Sequence, residues 1–170
     1  MQAIEYVLKL MTWQWFGSPT WDDAHLGSCR SRVSDLDEFL REEAAREHVC
    51  LSDMPLAIRW ERGPLTGRPH CHFLWSGFPN SQRITRTQGY RMRARWVERF
   101  GLAEFRPWEL SLRDRVASYM GKGEPERQDT SGNEHELCKF DAADRLVFND
   151  ALWAKLQRIT GTSFDVAPTT

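Results

Sequence analysis

Alternating apolar and polar residues, together with runs of β-branched and aromatic side chains, mark four segments of this chain as strands. The segments are residues 5–15, 56–60, 70–76 and 105–110. Between the second and the third lie Gly63, Pro64 and Gly67, which predict a turn. Because so short a connection returns the chain directly, we expect these two strands to pair in an antiparallel manner.

Apolar residues three and four positions apart mark other segments as helices. Ser34 is placed to cap a helix that runs to about residue 48. The apolar face of this helix consists of Leu36, Phe39, Leu40 and Ala44. Similar patterns predict helices at residues 88–100 and at 112–122, the latter capped by Ser111. A polar loop at residues 124–134 and one or two helices within residues 141–159 complete the chain.

The predicted order of elements, β-α-β-β-α-β-α, indicates the α+β class, with a central antiparallel sheet flanked by helices. A chain of 170 residues has the length of one compact domain. We assign the core of this domain to residues 1–123. Residues 124–170 are expected to form a loop and a helical extension that pack on the same domain.

The composition is that of an ordinary globular protein, with 41% hydrophobic and 28% charged residues. No apolar stretch is long enough to span a membrane, and the N-terminal residues do not have the pattern of a secretion signal. The four cysteines lie far apart and form no closely spaced zinc-type pair. We therefore expect a soluble, cytoplasmic protein with reduced thiols and no membrane partner.

Arginine is concentrated in one part of the chain, although the net charge is only −1. Residues 83–115 contain nine arginines against four acidic residues. Arginine forms planar, bidentate contacts with phosphate and stacks on bases, so this bias favours an anionic polymer as partner. An ordinary solvated arginine-rich face is the alternative. The candidates for contact with a DNA backbone are Arg68, Arg83, Arg86, Arg91, Arg93 and Arg95.

The segment ERGPLTGRPHCH, residues 61–72, has the pattern of a metal site. Alternate residues of a strand project from one face, so His70 and His72 point together. Antiparallel pairing brings Glu61 from the preceding strand beside them, although Asp53 or Glu47 takes its place if the turn differs. Two imidazoles and a carboxylate with open coordination positions suit a divalent metal, Mn²⁺ or Mg²⁺, that acts on phosphate. Taken alone, either histidine is equally an ordinary surface or core residue.

Tyr119 and Lys122 form a Y-x-x-K pattern on the predicted helix 112–122, where they share one face. A tyrosine oxygen can attack phosphorus once its proton is lost, and a lysine adds positive charge for the phosphate or the tyrosinate. Packing of Tyr119 against the sheet is the alternative. Tyr6 lies on the first predicted strand and is expected in the core, whereas Tyr90 lies among arginines and can contact DNA.

A strand bearing His-x-His followed by a helix bearing Tyr-x-x-Lys resembles the HUH endonuclease superfamily. The single-tyrosine initiators of rolling-circle replication, the Rep proteins, are the most similar class. The resemblance covers residues 5–122. GRPHCHFLW (residues 67–75) and SYMGK (residues 118–122) resemble two motifs of that class closely, and VLKLMTWQW (residues 7–15) loosely resembles its first hydrophobic strand.

The resemblance implies a five-stranded antiparallel sheet flanked by helices, of which four strands are assigned above. It also implies a sequence-specific endonuclease and ligase that nicks single-stranded DNA at an origin, of which a hairpin is one form. In that reaction Tyr119 becomes joined to the 5′ phosphate and Lys122 assists, while His70, His72 and Glu61 hold the metal. The cytoplasm of a bacterial host is the expected location, or the nucleus for a protein of a eukaryotic virus.

Three other functions remain open at the level of the sequence. A single-tyrosine HUH transposase uses the same metal and covalent chemistry. A metal-dependent hydrolase cuts DNA without a covalent adduct, and a non-catalytic nucleic-acid-binding module does not cut at all. No phosphate-binding G-x-x-x-x-G-K-S/T segment occurs, so a separate helicase is expected as a partner.

Overall fold

The structure, a computed structural model, describes residues 3–62, 68–79, 86–121, 125–127 and 145–161. Its strands are β1 (Trp15–Pro19), β2 (Leu56–Arg62), β3 (Pro69–Trp75), β4 (Ala103–Pro107), β5 (Pro125–Arg127) and β6 (Arg145–Phe148). Its helices are α1 (Ala3–Leu10), α2 (Cys29–Arg46), α3 (Arg86–Arg99), α4 (Arg113–Met120) and α5 (Asp150–Thr160). Single turns of 3₁₀ helix occur at Leu51–Asp53 and Leu110–Leu112.

The described strands form one sheet in the order β4-β1-β3-β2-β6-β5. The first five strands in this order, β4, β1, β3, β2 and β6, pair with their neighbours in an antiparallel manner. The short strand β5 pairs with β6 in parallel at the edge of the sheet. The predicted α+β class and the antiparallel sheet with flanking helices are therefore confirmed. Three of the five antiparallel strands, β2, β3 and β4, correspond to predicted strands, whereas β1 and β6 were not predicted.

Helices cover both faces of the sheet. Helices α2 and α3 pack on one face in a core rich in aromatic rings, which includes Trp21, Phe39, Trp60, Phe73 and Trp96. Helices α1, α4 and α5 pack on the other face in a second core, which includes Leu8, Phe16, Leu74, Met120, Phe148 and Leu152. Among the residues that the structure describes, no helix combines the length and the apolar character needed to cross a membrane.

The register of β2 and β3 determines which side chains meet. Glu61 pairs with His70 and Arg59 pairs with His72. Side chains alternate between the faces of a sheet, so these four project on the side of α1, α4 and α5. Cys71, between the two histidines, projects to the opposite face, where it is fully buried. The predicted antiparallel pairing of these strands is confirmed.

The predicted strand at residues 5–15 is wrong, because most of this segment forms the helix α1. Leu8 and Met11 are buried three residues apart, and Lys9 forms an ion pair with Glu5 at 2.8 Å, one helical turn away. The helical spacing of the apolar residues outweighs their strand propensity because it lets them pack into the second core. Tyr6, predicted to lie in the core, is 55% exposed.

The C-terminal prediction of a loop followed only by helices is also wrong. Residues 125–127 form β5 and residues 145–148 form β6, before α5 begins. Leu146, Val147 and Phe148 are all buried because both faces of the sheet are covered. A strand buried on both faces lacks alternation and reads as a continuous apolar run, which is why it was taken for helix.

The predicted helix caps differ from the observed ones. Helix α2 begins at Cys29, capped by Ser28, whose side chain accepts a hydrogen bond from the Ser31 amide, so the predicted start at Ser34 is wrong. Ser111 lies inside the 3₁₀ turn that precedes α4. The apolar face predicted for α2 is confirmed, since all four of its residues are almost fully buried.

Candidate metal and tyrosine site

Strands β2 and β3 bring a carboxylate and two imidazoles together at one end of the sheet. Glu61 Oε2 lies 3.4 Å from His70 Nε2 and 3.8 Å from His72 Nε2. One potential ligand atom from each of the three residues lies within 4.8 Å of the other two. The three side chains are 11–17% exposed, so the group is sheltered but open to solvent. This arrangement follows directly from the strand register.

These distances fit a bound divalent ion. Ligand atoms at about 2.0–2.2 Å from a metal lie about 3–4 Å from one another, as the carboxylate and imidazole atoms do here. Three protein ligands leave further positions for substrate oxygens. The other ring nitrogen of His70, Nδ1, lies 3.3 Å from the carbonyl oxygen of Arg68, a contact that helps to orient the imidazole.

Helix α4 places Tyr119 directly against this group. Val116, Ala117 and Met120 anchor the helix in the second core. Tyr119 therefore stands at the margin of that core, where its hydroxyl donates a hydrogen bond to Glu61 Oε2. Its ring lies edge-on to the ring of His72, with centroids 5.1 Å apart. The predicted nucleophile and the predicted ligands thus form one cluster.

Two predicted alternative ligands lie outside this cluster, and one predicted catalytic residue is not among the described residues. Asp53 and Glu47, the alternative third ligands, are not in the group that Glu61 forms with the histidines. Lys122 lies outside the described residues, so its assignment as a catalytic residue stays a prediction.

Arg59 is a functional candidate that the sequence reading missed. It is 2% exposed, and its Nε donates to Glu61 Oε1 at 2.6 Å. Its Nη1 donates to the carbonyl oxygen of Met120 at 3.3 Å. Arg59 therefore ties β2 to the end of α4, the two elements that carry Glu61 and Tyr119. Its position two residues before Glu61 on the same strand was the available signal, because it places both side chains on one face.

The protonation states of the cluster suit metal binding at neutral pH. Partial burial of Glu61 opposes ionisation, but hydrogen bonds from His70, Tyr119 and Arg59 outweigh it and lower the pKa to about 2. Burial of His72 disfavours its charged form and lowers its pKa to about 4. Glu61 is therefore ionised and His72 neutral at pH 7, the forms in which both residues bind metals.

Phe16 lies beside His72, and Arg106 lies beside Phe16. Neither residue was predicted from the sequence to lie near the site. The ring of Phe16 on β1 stacks on His72, with centroids 5.7 Å apart. Arg106 on β4 lies over the ring of Phe16, with Cζ 5.1 Å from the ring centroid. These contacts depend on the order of strands in the sheet, in which β1 lies between β3 and β4, and no local pattern reveals that order.

Five of the six arginines predicted to contact DNA are among the described residues, and their surroundings differ. Arg95 is bound by both side-chain oxygens of Glu43, which is 6% exposed, so it joins α3 to α2. Arg68 pairs with Asp23 at 2.6 Å, and Arg86 lies 3.7 Å from Glu109. The exposed members on α3 are Arg86, Arg91 and Arg93, whereas Arg83 lies outside the described residues.

Together the fold and the site define an α+β protein with two histidines, a glutamate and a tyrosine in one cluster at the end of an antiparallel sheet. No protein-family model, no curated protein and no solved structure matches this chain. The function is therefore argued from the chemistry of the site.

Proposed function

We propose that this chain is a metal-dependent endonuclease that nicks single-stranded DNA and remains joined to it through Tyr119. The observation that supports this most is the hydrogen bond from the Tyr119 hydroxyl to Glu61 Oε2. The same Glu61 oxygen lies within 4 Å of both histidines, so one atom contacts the proposed nucleophile and the two other proposed metal ligands. A nucleophile beside a metal site with open positions is suited to phosphoryl transfer.

The reaction proposed is the exchange of one phosphodiester bond for another. Tyr119 Oη attacks the scissile phosphorus, and the bond from phosphorus to the 3′ oxygen of the DNA breaks. The 3′ oxygen leaves as a hydroxyl, with one proton gained for the proton that Tyr119 loses, and the 5′ phosphate stays on the tyrosine. Because an ester bond is retained, the reverse attack by a 3′ hydroxyl rejoins the strand.

Each residue of the cluster has a distinct part in this proposal. Glu61, His70 and His72 hold the divalent ion, Mn²⁺ or Mg²⁺. A bound ion would polarise the scissile phosphate and offset the negative charge that develops on it. Glu61 also accepts the hydroxyl hydrogen of Tyr119 and so holds the attacking oxygen beside the histidines.

The biological setting proposed is the initiation of rolling-circle replication. The H-x-H and Y-x-x-K motifs of the sequence resemble those of single-tyrosine Rep proteins, and the free 3′ hydroxyl that nicking leaves can prime synthesis. An origin in single-stranded form, of which a hairpin is one example, is then the substrate, and a separate helicase is the partner. A single-tyrosine transposase would use the same residues, and the preferred DNA distinguishes the two.

The test is cleavage of a labelled pool of single-stranded DNA in Mn²⁺ by the wild type and by the double variant His70→Ala, His72→Ala. We expect the double variant to lose at least about 100-fold in rate, because a catalytic metal contributes several kcal/mol to the barrier. His25→Ala, which removes an exposed imidazole paired with Asp22, serves as the matched control and should cleave normally. Equal cleavage by the double variant would refute the metal assignment.

A further inference from the structure

A groove of about 480 Å³ runs along the outer side of β4. Strand β4 is the edge of the described sheet, and α3 forms the opposite wall. The helix can approach the strand this closely because residue 89 is glycine, at which a Cβ would lie 2.5 Å from the carbonyl oxygen of Phe105. The volume is in the range of sites that hold small organic groups.

The lining of this groove combines the groups that bind a nucleotide. Tyr90 presents a ring that is 65% exposed, available for stacking on a base. Three guanidinium groups can contact phosphates, and they belong to Arg86, Arg93 and Arg106. Two glutamates, Glu104 and Glu109, lie 3.7 Å from Arg106 and Arg86, respectively. Their carboxylates can accept hydrogen bonds from the amino groups of bases, which thymine lacks.

Two side-chain contacts connect the lining of the groove to the candidate metal and tyrosine site. Arg106 lines the groove and lies over the ring of Phe16. Phe16 in turn stacks on His72. From β3 across β1 to β4 is two strand spacings, about 10 Å. A polymer whose phosphate lies at the histidines therefore reaches the groove within a few nucleotides.

We propose that this groove holds the nucleotides next to the scissile phosphate of single-stranded DNA. Tyr90 stacks on a base, Arg106 contacts the phosphate on the path to the metal site, and the glutamates disfavour thymine. The inference rests on the proposed function, because that function places the scissile phosphate of the bound DNA at Tyr119. Binding of DNA in the groove is measurable without cleavage.

The test is fluorescence anisotropy of a labelled random-sequence pool of single-stranded DNA, without divalent metal and over a range of salt concentrations. Tyr90→Leu should weaken binding by about 5- to 150-fold with an unchanged salt dependence, because it removes a stacking ring but no charge. Arg106→Gln should lower the slope of log affinity against log salt by about 0.7, the value for one phosphate contact on a single strand. Arg106→Lys should restore that slope.

Arg41→Gln is the matched control, since it removes an exposed arginine of α2 that does not line the groove. It should bind like the wild type. In addition, the wild type should bind oligo(dC) more tightly than oligo(dT), and Glu104→Gln with Glu109→Gln should reduce that preference.

The outcomes separate this inference from the proposed function. If the wild type forms a covalent adduct but Tyr90→Leu and Arg106→Gln bind like the control, the groove is not the DNA path and the inference is wrong. If these variants bind weakly as expected but the wild type forms no adduct, the groove is supported and the proposed nicking activity is wrong. A wild type that does not bind the pool overturns both.

Discussion

Arg59 is a buried cation whose hydrogen bonds join the candidate metal site to the helix that carries Tyr119. Its contacts to Glu61 and to the Met120 carbonyl lie in a region with little access to water. A buried charge that loses its partner retains the cost of desolvation, so such pairs depend on both members. Arg59 is therefore a positioning residue for Glu61 and Tyr119 rather than a group that meets the substrate.

Replacement of Arg59 by methionine should lower the free energy of unfolding by about 3–5 kcal/mol, since it leaves the Glu61 carboxylate without its closest cation. Arg41→Met is the matched control, because Arg41 pairs with Asp37 at 2.6 Å on the surface, with side chains 59% and 39% exposed. Its cost should stay below about 1 kcal/mol. Urea denaturation of both variants measures the difference, and equal losses would contradict the role assigned to Arg59.

The lowered pKa of His72 leads to a prediction about how the free energy of unfolding of the metal-free protein depends on pH. The folded pKa of about 4 lies below the ordinary value of 6.5, because burial disfavours the charged ring. Between these two values the unfolded chain binds a proton here that the folded chain does not. The free energy of unfolding should therefore fall as the pH drops from 6.5 towards 4, by about 2–3 kcal/mol from this residue.

Urea denaturation in EDTA at a series of pH values tests this dependence. The variant His72→Phe should lose most of the slope between pH 6.5 and 4.5, above the range in which Glu61 contributes. His25→Gln, at an exposed position, should keep the slope of the wild type. The assignment is contradicted if His72→Phe retains the full wild-type slope.

At the level of elements, the sequence predicted several segments in the middle of the chain well. Strands β2 and β3, the helix α3 and the strand β4 lie within a few residues of their predicted positions. The pairing of β2 with β3 follows from a short connection, and it was enough to bring Glu61 to the histidines. The local sequence pattern was therefore sufficient to predict that the three candidate metal ligands lie side by side.

The remaining parts of the site depend on contacts between distant segments. Phe16 reaches His72 only because β1 lies next to β3 in the sheet, and Arg106 reaches Phe16 because β4 lies next to β1. The strand β6 escaped prediction because burial on both faces removes its alternation, and α1 because its strand-favouring residues fall at helical spacing. In each case tertiary packing, which a linear pattern does not contain, decided the outcome.

The close approach of α3 to β4 gives a prediction at this scale. Gly89→Ala should lower the free energy of unfolding by about 1–3 kcal/mol, because the new Cβ would meet the Phe105 carbonyl at 2.5 Å and push the helix away. This loss is expected although alanine is favoured over glycine in helices by about 1 kcal/mol. Thr87→Ala, at an exposed position of the same helix, should be neutral or slightly stabilising. A stabilised Gly89→Ala in urea denaturation would contradict this packing.

At the scale of the whole molecule, the site lies where three separate parts of the chain meet. Strands β2 and β3 carry the three candidate ligands, and α4 carries Tyr119. Strands β1 and β4 extend the sheet from β3 to its edge. The groove along that edge contains three of the arginines between residues 83 and 115. A net charge of −1 is thus compatible with a DNA substrate, because the positive charge is local.

The central claim is that Tyr119 becomes covalently joined to DNA, and mass spectrometry of the protein after incubation with Mn²⁺ and single-stranded DNA tests it most directly. We predict a nuclease-resistant nucleotide adduct on the peptide that contains Tyr119, in the wild type and in the control Tyr6→Phe, which changes an exposed tyrosine. The adduct should be absent from Tyr119→Phe. Cleavage without any adduct, or an adduct on another residue, would contradict the account.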